Sequence, residues 1–215
     1  MVKIFDDFLA ASDAAIVLLE KTEVTGRWAE PSACAGFTVG GLAAHLGWQV
    51  QSAEWAVRSA RPEPGAAVTA LIEHYEKAAW IGADLEAPVN AGIRETGEKR
   101  AAAGPAEVLR LTVEARGYLA ERFESLSPEE VIALPWIEGR AMTAGDVLAT
   151  RVLELLIHTD DLAVSVGVPT PQAPESAYAR VIGLLAPLAV RRHGPIPVLR
   201  ALSRAERAPE SVSAF

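Results

Sequence analysis

Arg151, Glu154, His158 and Asp161 step by 3, 4 and 3 through the run Arg151-Val-Leu-Glu-Leu-Leu-Ile-His-Thr-Asp-Asp161. That spacing is the α-helical repeat, and at 100° per residue the four side chains share an arc of roughly 80°. The remaining positions carry Val152, Leu153, Leu155, Leu156 and Ile157, so the stripe belongs to a helix that is otherwise apolar. Such a helix is normally buried, and a buried carboxylate one turn from an imidazole is costly unless something pairs with both. A divalent metal ion does so. The chain has only four histidines, and His45 lies in a second helical run, between Leu42 and Leu46, on a face that should point inward. His45, Glu154 and His158 make a two-His, one-carboxylate set, the ligand class of catalytic zinc sites with an open fourth position and also of open non-heme iron sites.

Each residue also has an ordinary reading. A lone core histidine commonly donates to a backbone carbonyl, and Glu with His at i and i+4 is a common helix contact. Asp161 is either a surface charge or the acceptor that orients a histidine ligand, and Arg151 either neutralises Glu154 or serves the site directly. His74 sits in polar company, Glu73-His-Tyr-Glu76, and reads as part of a solvated face; His193 reads as a helix-ending group. Trp48 and Gln49, beside His45, are candidates to line a pocket, with core packing as the plainer role for the tryptophan.

The elements that must position these groups are helical. Periodicity predicts helices from about Ile4 to Lys21, from Val39 behind a Thr38 cap to about Ala60, around 68–79 and 88–103, and from Gly104-Pro105 to about Phe123. A helix opening near Thr143 carries the stripe and fades at Gly167; a further helix follows from about Glu175 to Arg192. Residues 25–37 and 134–140 read as a polar loop and an extended crossing, and no segment sustains the alternation of a strand. The expected fold is all-α: a four-helix bundle with a long crossover over residues 1–168, and a short helical C-terminal extension over 169–215.

Composition narrows the partners. Of 215 residues half are hydrophobic, and the formal charge is −8, which excludes the basic footprint needed for nucleic acid or an anionic membrane. One cysteine, Cys34, rules out an internal disulfide and a cysteine-rich zinc site, and fits a reducing cytoplasm. No apolar run reaches spanning length, and no secretory signal pattern opens the chain. A cytoplasmic monomer or homodimer is expected.

Together, Thr38-Val-Gly-Gly-Leu42-Ala-Ala-His45-Leu46 and Arg151-x-x-Glu154-x-x-x-His158-x-x-Asp161-Leu162 resemble the two motifs of the mycothiol-dependent maleylpyruvate isomerase family, a branch of the DinB-like metal-binding helical bundles. The tail from Arg200 to Pro209 is similar to endings in that family. The resemblance implies zinc or a similar divalent ion on His45, Glu154 and His158, with mycothiol as the thiol cosubstrate and a small electrophile as acceptor. Zinc favours thiolate over thiol. Addition of the sulfur to an activated double bond, rotation and elimination would isomerise the acceptor; addition or displacement without reversal would give an S-conjugate. Trp48, Gln49 and the irregular 84–103 region, including Asn90, would then shape the acceptor pocket, with Arg151 and Asp161 in support. Cys34 is not required. The characterised isomerase architecture has a further C-terminal domain that contributes an arginine, where about fifty residues follow the linker here, leaving Arg200 or Arg204 as candidates to replace it. The residue types alone also admit an oxygen-dependent iron enzyme, a non-catalytic metal-binding module, or a bundle with an internal ion pair and no metal.

Overall fold

A computed structural model describes residues 3–59 and 62–215. Four long helices build the core: α1 (Lys3–Leu19), α3 (Val39–Arg58), α6 (Pro105–Arg122) and α7 (Ala144–Val166), with a short α2 (Thr22–Gly26) between the first two. They pack in a ring, α1 on α7, α7 on α3, α3 on α6 and α6 on α1. The fold is all-α and of the DinB-like bundle type.

Each helix is cut from the sequence by local chemistry. Thr38 caps α3 by accepting from the Gly41 amide at 2.9 Å, and Thr143 caps α7 by accepting from Asp146 at 3.1 Å. Gly167 ends α7 at φ 72°, a left-handed conformation that favours glycine. Inside the ring, Leu42, Leu46, Leu119, Leu148, Leu153 and Leu155 are fully buried, each contributing about 1.5–3 kcal/mol relative to exposure. Phe5 stacks on Phe123 at 4.4 Å, and Phe8 meets the same ring edge-on at 5.9 Å, closing the junction of α1 with the end of α6. The expected end of α3 near Ala60 and Arg61 lies outside the described residues; the helix itself runs to Arg58.

The crossover from α3 to α6 contains α4 (Leu71–Glu76) and α5 (Pro88–Ala101). α5 lies along α3, tied to its start by the Glu98 carboxylate, which accepts from the Thr38 amide at 2.8 Å and from its hydroxyl at 2.9 Å. A side chain at Gly41 would collide with that carboxylate, so the close approach depends on glycine.

Three short strands were not expected. β1 (Ala67–Val68) pairs parallel with β3 (Arg140–Thr143), and β3 pairs antiparallel with β2 (Val131–Ala133). They are two to four residues long, too short for alternation to register, and β1 meets its partner across some seventy residues. The hairpin of β2 and β3 brackets the segment read as an extended crossing.

After the linker, α8 (Glu175–His193) and α9 (Pro195–Ser203) follow, the latter in a region read only as a basic tail. α8 lies against α1 and α7, and Val181, Leu184 and Leu188 join the bundle's core. Buried Asp7 of α1 fastens it, accepting from Ser176 at 2.5 Å and from Arg180 at 3.0 and 3.2 Å. Among the described residues no helix is long and apolar enough to cross a membrane.

Candidate metal centre

Because α3 and α7 pack side by side, His45 from one faces Glu154 and His158 from the other. The His158 Nε2 lies 3.3 Å and the His45 Nε2 3.8 Å from the same Glu154 oxygen, and one ligand atom from each residue falls within 4.8 Å of the others. Bonds of about 2.0–2.2 Å to a tetrahedral zinc place donors roughly 3.4 Å apart. The three residues therefore fit such an ion by atom type and by spacing. Their side chains keep 13, 17 and 16% exposure, and all three line a cavity.

The surrounding groups orient these donors. Asp161 Oδ2 stands 3.0 Å from His158 Nδ1, so Nδ1–H donates to Asp161 and Nε2, the nitrogen that gains or loses the second proton, is turned toward Glu154 and His45. For His45, the 3.8 Å separation from Glu154 is too long for a hydrogen bond, and the Gln49 amide at 3.1 Å is the closer partner. Gln49 donates both there and to the His45 carbonyl at 3.0 Å, so His45 Nε2 is an unprotonated acceptor whose lone pair is engaged by Gln49. Arg151 sets that amide's orientation by donating to Gln49 Oε1 at 2.8 Å; it also reaches Thr150 at 3.0 Å and Ser52 at 3.4 Å. Arg151, Gln49, His45, Glu154, His158 and Asp161 form one connected polar array across two helices.

Their proton affinities diverge. Burial disfavours the charged form of His158, but hydrogen bonds to Asp161 and Glu154 outweigh it and raise the imidazole to about 9. Burial pushes His45 below its ordinary value. Burial also opposes ionisation of Glu154, yet the hydrogen bond offered by His158 and the charges on His158 and Arg151 hold it well below the usual carboxylate range. Without a metal the centre stores a proton on His158 beside an ionised Glu154.

The cavity measures about 800 Å3, within the range of small-molecule sites. Trp48 and Asn90 both line it. Trp48 is also covered by the Arg100 guanidinium at 3.7 Å, while the Asn90 amide nitrogen donates to the carbonyls of Ala83 at 3.3 Å and Asp84 at 3.0 Å, fixing the loop before α5. Arg200 and Arg204 lie on and just after α9 and do not line the cavity.

Several lining residues were not singled out from the sequence as part of the site. Cys34 comes within 4.8 Å of His158 and Asp161, because the loop before α3 folds over the end of the stripe. Burial, then the charge on Asp161, raise its thiol to about 11 against the opposing pull of Arg94, so it is a poor nucleophile. His74, read as solvated, lines the cavity, its Nδ1 buried and without a partner among the described residues. Arg140, Trp136 and Phe215 line it as well. All come from loops, short elements or the tail, where no periodicity marks an inward face. His193 ends α8 as expected, and its Nε2 stands 2.8 Å from the Ser213 carbonyl, anchoring the tail that brings Phe215 to within 4.8 Å of Trp80.

No curated protein and no solved structure matches the chain. The family model of the mycothiol maleylpyruvate isomerase N-terminal domain matches residues 8–163, which run from α1 to the end of the stripe on α7 and include both halves of the polar array. The chain belongs to the mycothiol maleylpyruvate isomerase N-terminal domain family.

Proposed function

We propose that the protein is a divalent-metal enzyme, with zinc on His45, Glu154 and His158, that uses a low-molecular-weight thiol, mycothiol, for isomerisation of or S-transfer to a small electrophile. The observation that carries the reading is the convergence of two imidazole nitrogens and one carboxylate oxygen within 4.8 Å on the wall of a cavity of about 800 Å3. A bound zinc would stabilise the thiolate form of the cosubstrate at neutral pH and so supply a nucleophile. A structural zinc site is closed by four protein ligands, whereas three ligands beside a cavity suit catalysis.

The chain's own residues do the rest. Asp161 holds the His158 Nδ1 proton, which makes Nε2 the nitrogen that would ligate once its own proton is displaced. Arg151 holds Gln49, and Gln49 keeps His45 in the tautomer whose Nε2 ligates. Trp48, Phe37 and Ile93 supply apolar wall that excludes water from the reacting thiol, and Asn90 stiffens the loop at its edge. The segment 169–215 serves as an extension of the bundle that completes this wall through Phe215.

The test is cis–trans isomerisation of an activated enoate, or its S-conjugation with loss of free thiol, by zinc-loaded protein with mycothiol under anaerobic conditions. Turnover that persists without oxygen and disappears in Glu154→Gln supports the reading. Turnover only in oxygen, with iron bound, would replace it with an oxygenase.

A further inference from the structure

The cavity differs electrically from the molecule that contains it. The chain carries a formal charge of −8, yet the cavity is lined by Lys77, Arg94, Arg140 and Arg151 against a single carboxylate, Glu154. Three of these cations are engaged. Lys77 pairs with Glu73, Arg94 with Glu86 at 3.3 Å and the Leu85 carbonyl at 2.5 Å, and Arg151 with Gln49. Arg140, the first residue of β3, is half-buried, and its guanidinium makes no hydrogen bond or ion pair among the described residues. A guanidinium offers five donors in a planar fork, and leaving them unmet at a partly desolvated wall is unfavourable. The fork fits a carboxylate with two parallel bonds.

His74 adds a second unmet group. Its Nδ1 is buried without a partner among the described residues, and burial, then the charges on Arg151 and Arg140, hold its pKa to about 4, so it stays neutral at physiological pH. A neutral imidazole beside two guanidiniums can donate to an anion through Nε2, which is not enclosed as Nδ1 is, without adding a charge to the wall. The cavity wall is aromatic and aliphatic: Trp136 and Ile137 from the turn before β3, and Trp80 with Phe215 from the crossover and tail. Flat apolar walls ending in a free guanidinium suit a ligand with a flat apolar body and an acidic end.

We propose that Arg140 and His74 form an anion subsite that binds the carboxylate of the acceptor, an electrophilic acid whose apolar body lies along Trp136, Trp80 and Phe215 and whose reacting carbon faces His45, Glu154 and His158. This rests on the reading of the cavity as the active site of a thiol-using enzyme. Arg140 acts as a specificity residue: it selects acids over neutral electrophiles and aligns them toward the metal centre.

Binding without turnover tests it. 3-Phenylpropanoate, an unreactive acid, and 3-phenylpropanamide, its neutral counterpart, are titrated calorimetrically into the full chain, both metal-free and zinc-loaded. The acid is expected to bind in both states and the amide about tenfold or more weaker, with Arg140→Gln reducing acid affinity by a similar factor and Arg140→Lys by less. Unchanged zinc stoichiometry and helix content in Arg140→Gln keep a folding defect from imitating the effect. Equal affinity for acid and amide, or acid binding indifferent to Arg140→Gln, overturns the subsite. Acid binding that requires zinc and ignores Arg140 also overturns it, by assigning the carboxylate to the metal. No thiol enters the experiment, so failure of the thiol chemistry leaves its result intact, and its failure leaves the metal and thiol reading intact.

Discussion

On the proposed reading a proton and a divalent cation compete for one nitrogen of His158. In the metal-free protein this imidazole is raised to about 9, above its ordinary 6.5, so its contribution to stability is fully present below pH 6.5 and is lost as pH rises through about 9. Metal uptake has the opposite sign. Between those values zinc must expel the proton, so calorimetry in buffers of different ionisation enthalpy is expected to show about one proton released per zinc at pH 7 and apparent affinity rising toward pH 9. Asp161→Ala removes the acceptor that holds the ring and is expected to weaken zinc binding about 10–100-fold, with less proton release. At this scale the sequence was informative wherever a helix imposed its period. Arg151, Glu154, His158 and Asp161 declare one face by spacing alone, and His45 declares its inward direction through Leu42 and Leu46. Cys34, His74 and Arg140 declare nothing, because loops and two-to-four-residue strands bring them to the cavity and neither carries a periodic signal.

Caps and clasps decide how accurately the helices present those residues. Thr38 closes the first turn of α3 and holds Glu98 of α5, so Thr38→Val is expected to cost about 1–2 kcal/mol in denaturant unfolding, loosening α5 as well as the cap. Arg180→Ala strands the buried Asp7 carboxylate with Ser176 alone; a loss of about 2 kcal/mol is expected, below the cost of a fully buried pair because Arg180 is one-third exposed. The long helices were legible because each has a core face and a chemical start: Thr38, Gly104-Pro105 and Thr143. The small sheet was not, since pairing of Ala67 with Arg140 is a long-range event with no local pattern. α2 and α9 were missed for a related reason. Both are short, five and nine residues, and a few positions do not establish a face.

At the scale of the molecule, the proposed metal joins α3 to α7, two helices that a continuous apolar core already holds together. Chelation is therefore expected to lower the melting temperature without unfolding the bundle, and zinc at a hundredfold excess over its dissociation constant to restore about 2.7 kcal/mol. The acidic surface and cationic cavity divide the labour, the first favouring solubility and the second the capture of anions. In the proposed centre a divalent ion bound between α3 and α7 lies at the heart of this bundle. Elemental analysis of protein purified without added metal tests it most directly, with His45→Ala and His158→Ala measured alongside. The account predicts about one zinc per chain in the parent protein and its loss in both variants while they remain helical; folded parent protein that carries no divalent metal and takes up none would contradict it.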